Sequence, residues 1–408
     1  MAEAEPSRPA VNRRRLFAGG AAALAAGAML NQSGAANSAT VKNGFGVDVE
    51  PFYGPHQAGV ATAPQSHGLF VAFDLDHGGK PGMRRSERET VAAILRLWTA
   101  DAARLTRGAP ALADTEPELA TRPARLTITV GLGIGLLGRV GPAGSLPRSA
   151  RELPVFDVDQ LHHRWSGGDL LLQICADDPV TVAHANRVLT KNVRSMATPR
   201  WRQAGFRNAR GADASGTTMR NLMGQVDGTA NLTAADFDDL VWMSGAVHPG
   251  LVGGTLMIVR RIAMHLDTWD ELDRPSKEFA VGRTLDSGAP LTGTRETDEP
   301  NFSLLHNGIP VIPQNSHVAL AHHRGTRERF LRRPYNYDDP PEPGQTSNTG
   351  LIFATFQRDI DEQFLPVQRR LAQFDALNQW TTAVGSSVFV VPGGVRTPDG
   401  HLGRELFG

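Results

Sequence analysis

Apolar and polar positions follow two different periods along this chain. In residues 86–105, apolar side chains recur every three or four positions, which predicts an amphipathic helix, and Ser86 with Glu89 forms a capping box at its start. Residues 178–193 and 364–374 have the same period and predict two further helices. Alternating or continuous apolar runs predict strands at 69–77, 125–133, 169–177, 254–262, 316–323, 350–357 and 386–392.

The predicted strands and helices interleave in two similar series. We therefore predict an α+β fold of two duplicated ferredoxin-like halves, in which helices cover antiparallel sheets. The predicted boundaries are 1–40 for an N-terminal targeting segment, 41–225 for the first half, and 226–408 for a second half that holds the functional pocket. Long connections at 298–316 and 334–350 are candidates for a functional role, because long loops in compact domains often carry one.

The first 40 residues differ in kind from the rest of the chain. Three consecutive arginines at 13–15 precede Leu16 and Phe17, and an alanine- and glycine-rich stretch follows to Leu30. This stretch is too short and too weakly apolar to span a membrane comfortably. The segment resembles a twin-arginine export signal, with small residues at 34–39 as cleavage sites. The resemblance implies the twin-arginine translocase as a partner during export and a periplasmic or extracellular location. A retained N-terminal anchor is the alternative.

Composition narrows the classes of partner. The chain has 408 residues, of which 40% are hydrophobic, so it can bury a substantial core. Lys plus Arg and Asp plus Glu both number 42, so the basic balance that phosphate binding favours is missing and we expect no nucleic-acid partner. Cys175 is the single cysteine and forms no intrachain disulfide; the apolar run around it predicts a buried structural thiol.

Several motifs are better explained by structure than by chemistry. The glycines of "GLGIGLLG" at 131–138 lack a βαβ unit with a downstream acid, so we interpret them as strand-end glycines and not as a dinucleotide turn. The pairs at 162–163 and 322–323 are adjacent histidines, which on a strand would point to opposite faces and could not clamp one metal. The sequence contains no Cys/His zinc spacing, P-loop or G-x-S-x-G elbow.

The segment "NLMGQVDGTANL" at 221–232 places one carboxylate, Asp227, between Gly224 and Gly228. A simple turn is one interpretation, since Asp-Gly is a common turn dipeptide. Other residues farther along the chain give it candidate partners. His317 opens the alternating run "SHVALAHH", and the segment "FLRRPYNY" follows.

Taken together and in this order, these segments resemble the dye-decolourising peroxidase family. The family pattern has a G-x-x-D-G loop, a strand-borne histidine that ligates haem iron, and an arginine from a segment like R-R-x-Y. The resemblance spans nearly the whole chain after the targeting segment. It also includes "PFYGPHQAGVAT", "SGGDLLLQICADD", "RWRQAGF", "VGRTLDSGAPLTG" and "GLIFATFQRDIDEQFLPVQRRLAQFDALNQW".

The resemblance implies a role for each motif residue. Asp227 corresponds to the distal acid, Arg332 to the distal cation and His317 to the proximal ligand of a single haem b, with Arg333 as the alternative cation. By family position, Asp375 is the candidate partner of the proximal histidine; the competing interpretation is an acid on a helix surface. A carboxylate on the far nitrogen would raise the basicity of an iron-bound imidazole. On the other face, a carboxylate would relay the peroxide proton and the guanidinium would stabilise developing negative charge.

The same resemblance implies a set of residues that contact the cofactor. Gly224 and Gly228 would let the backbone pass close to a planar macrocycle, and Arg283 in "VGRTLDSGAPLTG" is a further cofactor-binding candidate. His322 and His323 remain alternatives to His317 as the iron ligand, although only His317 occupies the "S-H-V-x-L" position.

Three departures from the family pattern affect the shape of the expected pocket. The glycine loop has Gln225 and Val226 where the family often has an aromatic residue. Ala319 stands where an arginine is frequent two places after the histidine, and Pro334 replaces a frequent glycine. These changes bear on contacts to the haem propionates more than on the iron chemistry.

The sequence therefore predicts an exported haem peroxidase that reduces hydrogen peroxide and oxidises dyes, phenolics or similar organic donors. An alternative is a haem-handling protein of iron acquisition that releases iron from haem; a third is a haem-storing or haem-sensing protein. Whether copies of the chain form a homo-oligomer stays open. Because large dyes would not reach a buried haem, electrons would pass through aromatic residues. The candidates are Trp165, Trp201, Trp242, Trp269, Trp380, Tyr335 and Tyr337.

Overall fold

The computed structural model describes residues 44–76, 86–142, 144, 146–245, 248–341 and 343–408. The predicted targeting segment lies outside the described residues, so its assignment stays a prediction. None of the described helices is long and apolar enough to cross a membrane.

The first half contains four strands and the helices that cover them. Its elements are β1 (His67–Leu75), α1 (Glu87–Leu105), β2 (Thr127–Gly133), α2 (Ile134–Val140), β3 (Leu170–Ala176), α3 (Pro179–Val193) and β4 (Ala197–Phe206). The strands are antiparallel neighbours in the order β2-β3-β1-β4. A βαββαβ series in this strand order is ferredoxin-like, as predicted.

The second half repeats this plan with a longer connection after its first long helix. Its elements are α4 (Phe237–Leu240), β5 (Thr255–Met264), α5 (Leu266–Trp269), α6 (Arg274–Val281), β6 (Leu305–His306), β7 (Ile309–Pro310), α7 (His317–Ala321), β8 (Leu331–Arg332), β9 (Tyr335–Asp339), β10 (Asn348–Gln357), α8 (Leu365–Phe374), β11 (Thr381–Val391) and α9 (Arg404–Phe407). The strand order is β11-β5-β10-β9, and β8 pairs with the far end of β10. The corresponding strands of the two halves therefore have the same neighbours.

The two four-stranded sheets are joined to each other at both edges. Strand β11 pairs with β2 through Phe389 and Gly133, and β4 pairs with β9 through Phe206 and Asn336. Eight strands thus close into one antiparallel barrel, a closure that removes exposed sheet edges. The predicted fold class is confirmed, with the added finding that its two sheets form one closed layer. The boundary between the halves at 225/226 stays a prediction.

The alternation of side chains along each strand separates two hydrophobic cores. In β1, Leu69 and Phe73 pack on the helix-covered face, where the Phe73 ring lies 5.4 Å from that of Trp98 in α1. Phe70 and Ala72 of the same strand belong to the second core, inside the barrel. The helices cover the barrel from outside because their apolar stripes bury against the first face.

Local features of the first half agree with the sequence. Ser86 and Glu89 form the predicted capping box, in which each side chain accepts a hydrogen bond from the backbone N–H of the other residue. Asp178 caps α3 by accepting from the Thr181 N–H at 3.0 Å. Cys175 is a buried free thiol, as expected.

The predicted strand at 316–323 is wrong, because His317–Ala321 form the short helix α7. Its hydrogen bonds run from Leu320 N–H to the Ser316 carbonyl at 3.2 Å and from His322 N–H to the Val318 carbonyl at 3.0 Å. In so short a run, alternation cannot distinguish a strand from a helix. The alanines at 319 and 321 favour the helix.

The histidine pairs at 162–163 and 322–323 do not lie on strands, so the expectation that strand geometry separates their rings is wrong. His163 begins a single turn of 3₁₀ helix, and His322 follows the end of α7. The rings of His322 and His323 stack with 4.8 Å between their centroids and do not point to opposite faces.

Strands β4 and β9 were missed in the sequence. In β4, Trp201, Gln203 and Gly205 are buried while Arg202 and Ala204 are exposed, so the strand has a period of two. The inward glutamine obscures the apolar half of this alternation. Gln203 is accommodated inside the barrel because its side chain accepts a hydrogen bond from Arg261 at 2.7 Å.

Candidate active site

Asp227 lies on the second arm of a small hairpin in the connection between β4 and β5. Arg220 and Val226 form an isolated β-bridge, and the Asp227 N–H donates to the Met219 carbonyl at 2.8 Å. The reversal occurs earlier, where Gly224 has φ +84° and its N–H donates to the Asn221 carbonyl. A turn is therefore present, but Asp227 comes after it.

The side chain of Asn221 organises this hairpin and was not singled out in the sequence. Its Oδ1 accepts from the N–H groups of Met223 at 3.0 Å and Gln225 at 3.2 Å, and its Nδ2 donates to Asp227 Oδ2 at 3.3 Å. An asparagine at the start of a glycine-containing turn is the sequence signal for this role. The contact orients the Asp227 carboxylate across the two arms.

Gly228 is required by backbone conformation. Its φ of +141° is a backbone conformation that residues other than glycine rarely adopt. An added Cβ would also lie 3.0 Å from Thr218 Cγ2. Gly224 is likewise needed for its positive φ and has only Leu285 near the position of a Cβ. These two glycines therefore have a reason that is independent of any bound macrocycle. Close passage of a cofactor stays a prediction.

His317 and Asp375 form a close pair between two elements. The His317 Nδ1 lies 2.6 Å from Asp375 Oδ2, and the aspartate side chain is only 4% exposed. The second oxygen of Asp375 accepts from the Leu377 N–H at 2.9 Å, and the Ala376 N–H donates to the Asn315 carbonyl just before α7. Both partners are thereby fixed at the end of α8 and the start of α7. The interpretation of Asp375 as a surface acid is wrong.

This pairing sets the electrostatics of the imidazole. Burial opposes a charge on the His317 ring, but the charge and hydrogen bond of Asp375 outweigh it, so the pKa of His317 is raised above its ordinary value of 6.5. The Asp227 carboxylate raises the same pKa further and the Arg332 guanidinium lowers it, so both groups act on the ring. The ring lies deep in the protein, yet 41% of its side-chain surface is accessible. The three side chains therefore lie near one another, and the region between them is called the cleft below.

Arg332 is held by three hydrogen bonds to two residues. Its N–H donates to Asn231 Oδ1 at 2.9 Å, and its carbonyl accepts from Asn231 Nδ2 at 2.7 Å. Its Nη2 donates to the Thr229 carbonyl at 2.6 Å. Burial lowers the pKa of Arg332, and the Asp227 carboxylate counteracts part of that effect. The guanidinium is therefore fixed close to the acid.

Arg333 occupies a different environment although it is adjacent in sequence. It is 1% exposed and donates to the Thr62 carbonyl and to Gln65 Oε1 inside the barrel. Its pKa is raised: burial lowers it, but the nearby Tyr335 and Cys175 more than compensate. Of the two arginines, Arg332 is the one that the structure brings together with Asp227 and His317.

Arg283 borders the same region but is partly engaged by its own loop. Its Nη1 donates to the Gly288 carbonyl at 2.7 Å and to the Glu296 carbonyl at 2.9 Å. Burial lowers its pKa, Glu296 raises it and Arg332 lowers it, so the two guanidinium groups lie near each other. A contact with a cofactor stays a prediction for Arg283.

The departures in the glycine loop have visible structural consequences. Gln225 is 4% exposed, and neither its Oε1 nor its Nε2 has a hydrogen-bond partner among the described residues. Val226 packs against the loop that carries Arg283, where a Cβ on Gly288 would lie 2.7 Å from the valine Cβ. The loop is therefore packed by an amide and an aliphatic side chain, where an aromatic ring is common in the family.

Two family models match this chain. The model described as "Dyp-type peroxidase, N-terminal" matches residues 57–207, and "Dyp-type peroxidase, C-terminal" matches residues 218–396. The second match includes Asp227, His317, Arg332 and Asp375. Together the two matches extend over most of the chain.

Curated relatives and solved structures agree with these models. The chain is 35% identical to the dye-decolorizing peroxidase of Thermobifida fusca over 438 aligned residues (100% of this chain and 99% of the relative). It is 32% identical to a deferrochelatase of Escherichia coli (97% and 96%).

Among solved structures, a DyP-type peroxidase from Cellulomonas bogoriensis is 50% identical with a TM-score of 0.85 (89% of this chain and 99% of that chain). The oxyferrous complex of DtpA from Streptomyces lividans is 36% identical with a TM-score of 0.83 (89% and 99%). The chain belongs to the Dyp-type peroxidase family.

Proposed function

We propose that the cleft between His317, Asp227 and Arg332 binds haem b, with His317 as the protein ligand of the iron. In this proposal the chain reduces hydrogen peroxide and oxidises dyes, phenolics or similar donors. The observation that carries it is the His317 Nδ1 to Asp375 Oδ2 contact of 2.6 Å, on a ring whose pKa the nearby charges of Asp227 and Arg332 also affect.

The donor set fits haem. Within the part of the chain that the structure describes, no three or more His, Cys, Asp or Glu side chains form a group that could hold a metal ion. A single imidazole is what iron requires when a porphyrin supplies four of its ligands. Since Nδ1 faces Asp375, Nε2 is the nitrogen left for the iron.

Haem supplies the redox chemistry when it is bound, and the protein residues tune and direct it. Asp375 holds the Nδ1 proton of His317, which fixes the tautomer and makes the ring a stronger electron donor. The Asp227 carboxylate accepts the proton that hydrogen peroxide loses and returns it to the departing oxygen, a type of help worth about 10²–10⁴-fold in rate. The fixed guanidinium of Arg332 stabilises the negative charge that develops as the O–O bond breaks.

Trp380 is the aromatic residue best placed to pass electrons from a bulky donor. Its half-buried ring lies 5.3 Å from that of Trp269, whose Nε1 donates to the Met223 carbonyl in the hairpin that carries Asp227. Trp380 also ends the short turn that begins at Asp375, since its N–H donates to the Leu377 carbonyl at 2.9 Å. Trp380 therefore adjoins the turn that begins at Asp375 and, through Trp269, the hairpin that carries Asp227.

Release of iron from haem is the second candidate function, supported by the deferrochelatase relative. That relative aligns over 97% of this chain and 96% of its own length, and the peroxidase relative over 100% and 99%, so likeness alone does not separate the two functions. The opposite charges of Asp227 and Arg332, which lie near each other, favour peroxide chemistry, because a proton acceptor near a fixed cation is what peroxide cleavage needs. A third candidate, haem storage or sensing, would need neither group.

Export by the twin-arginine pathway is also part of the proposal. A folded protein with a bound cofactor is a reason to use a translocase that moves folded chains. The support is the Arg13–Arg14 pair followed by Leu16 and Phe17 and a weakly apolar stretch.

The first prediction concerns the pKa of His317. In cofactor-free protein, Asp375→Asn should lower this pKa, because the carboxylate raises it and burial alone lowers it. NMR titration of the ring protons, assigned with a His317→Gln variant, measures the shift. Because the folded-state pKa is raised, the stabilising contribution of the pair should be full below pH 6.5 and decline as the pH rises through the raised value. An unchanged titration would show that the pair does not form in solution.

The second prediction tests peroxidase function. Haem-loaded wild type should react with hydrogen peroxide and bleach a dye, and Asp227→Asn and Arg332→Leu should each slow the peroxide step by about 10²–10³-fold without loss of haem. Asp227→Asn keeps the side-chain volume but supplies no carboxylate to accept the proton. Stopped-flow absorbance across pH measures both rates, and exposed Asp338→Asn on β9 is the matched control. If Asp227→Asn reacts at the wild-type rate at every pH, the proposed role of Asp227 is wrong.

The third prediction separates donors by size. Trp380→Phe should lose most of the turnover of a bulky anthraquinone dye while keeping that of a small phenol, because only the large donor depends on a surface relay. Steady-state rates with both donors measure this. Trp165→Phe is the control, since Trp165 is also half-buried but its ring lies over Arg261 at the barrel. Equal losses with both donors would contradict the relay.

The fourth prediction concerns export. Replacing Arg13 and Arg14 with lysine should leave the precursor in the cytoplasm, because a receptor reads the arginine pair and bulk charge does not replace it. Fractionation followed by immunoblotting measures the distribution. Normal export of the double variant would rule out the twin-arginine pathway.

A further inference from the structure

Glu296 lies where the two ends of the Asp227 hairpin meet. Its Oε1 accepts a hydrogen bond from Thr218 Oγ1 at 2.6 Å and another from Thr229 Oγ1 at 2.7 Å. One threonine precedes the hairpin and the other follows Gly228, so a single carboxylate oxygen binds both ends. Hydrogen bonds to an ionised acceptor are shorter and stronger than those between neutral groups.

The two ends of the hairpin also lie close together. An added Cβ on Gly228 would lie only 3.0 Å from Thr218 Cγ2. Ala230, directly after Thr229, has φ +59°, a conformation that residues other than glycine adopt at a cost. The segment after Asp227 therefore depends on outside contacts to keep its shape.

Thr229 connects Glu296 to Arg332. The threonine hydroxyl donates to Glu296, while its backbone carbonyl accepts from Arg332 Nη2 at 2.6 Å. Asn231, two residues on, exchanges two hydrogen bonds with the Arg332 backbone. A shift of Thr229 would therefore move the acceptor of the guanidinium, while the arginine backbone stayed anchored.

Glu296 is itself anchored on the cleft side. Its backbone carbonyl accepts from Arg283 Nη1 at 2.9 Å, and the guanidinium of Arg283 compensates the charge of the half-buried carboxylate. The same nitrogen donates to the Gly288 carbonyl, in a turn that packs on Val226. The backbone of Glu296 is thus fixed, so its carboxylate can hold Thr218 and Thr229 in place.

We propose that Glu296 is a positioning residue of the peroxide site: through Thr229 it sets the position of the Arg332 guanidinium, and through Thr218 and Thr229 it keeps the Asp227 hairpin closed. The inference rests on the proposed function of Asp227 and Arg332. Glu296 acts through hydrogen-bond acceptance, so glutamine, which keeps an acceptor oxygen, should replace it and alanine should not. Because Arg332 acts on peroxide in this proposal, loss of the Glu296 side chain should slow the reaction with hydrogen peroxide and leave binding of the organic donor unchanged.

The first experiment uses the haem-loaded protein. Glu296→Ala should lower the second-order rate constant for hydrogen peroxide on the order of ten- to a hundredfold, the loss expected when a reacting group is misplaced. Glu296→Gln should recover most of that rate, and the KM for a phenolic donor should stay at the wild-type value in both variants. Glu299→Ala is the matched control, because Glu299 is in the same connection with an 81% exposed side chain.

The second experiment uses cofactor-free protein and does not depend on activity. Amide hydrogen exchange of residues 218–231 should speed up in Glu296→Ala and not in Glu296→Gln, while strand β5 exchanges as in wild type. If Glu296→Ala does not fold, Thr229→Val and Thr229→Ser ask the same question: valine should reproduce the loss, and serine, which keeps the hydroxyl, should not.

The outcomes separate this inference from the function on which it rests. Wild-type exchange and a wild-type peroxide rate in the alanine variant would overturn the positioning role, as would a glutamine variant as slow as alanine. For the threonine pair, a valine variant equal to the serine variant would overturn it. Absence of any peroxide reaction in wild type would overturn the proposed function instead. The exchange experiment would still show whether Glu296 holds the two ends of the hairpin together.

Discussion

The alternation of side chains along a β-strand separates the cleft from the interior of the barrel. Leu331, Arg333, Tyr335 and Tyr337 are buried toward the inside, so their neighbour Arg332 must point the other way. Pairing of Arg332 with Thr355 of β10 fixes that register. A shift by one residue would send Arg333 to the cleft and bury Arg332 among the barrel aromatics. The position of Arg332 at the site thus depends on the backbone register of the short β8–β10 pair.

A second constraint comes from the imidazole on the other side of the cleft. A buried histidine is driven toward its neutral form, and Asp375 acts against that by charge and by a 2.6 Å hydrogen bond. The aspartate can do this because its other oxygen is occupied by the Leu377 N–H, so its orientation is fixed. If His317 held haem iron as proposed, its contact with Asp375 would be a hydrogen bond that increases the basicity of the ligand.

Long elements with a clear hydrophobic period could be predicted from the sequence, and the hydrogen bonds that complete the site could not. Helix α1 with its capping box, and most of the buried strands, follow from hydrophobic period. The strand prediction for 316–323 failed because eight residues, five of which form α7, are too few to distinguish a period of two from one of 3.6. The pairing of His317 with Asp375 and the preference for Arg332 over Arg333 both came from family likeness. The alternation that separates the two arginines is visible only in the structure, where Arg333 is buried inside the barrel. Asn221, Thr229 and Glu296 were missed, because their roles depend on hydrogen bonds between segments that are distant in sequence.

The two halves share a fold, but their corresponding connections differ in length and in the polar residues that they contain. After its first long helix, the first half passes from α1 to β2 through a short 3₁₀ turn at Pro117–Ala120. The second half inserts the long segment between α6 and β8, which contains Arg283, Glu296 and His317. Asp227 comes from the link between the halves, so the proposed proton acceptor and the proposed iron ligand belong to separate segments. Closure of the barrel at both edges holds those segments at a fixed separation, because neither half can rotate without breaking β2–β11 or β4–β9 pairing. A duplicated scaffold can therefore support an asymmetric site: the repeat supplies rigidity, and the unequal connections supply the reactive groups.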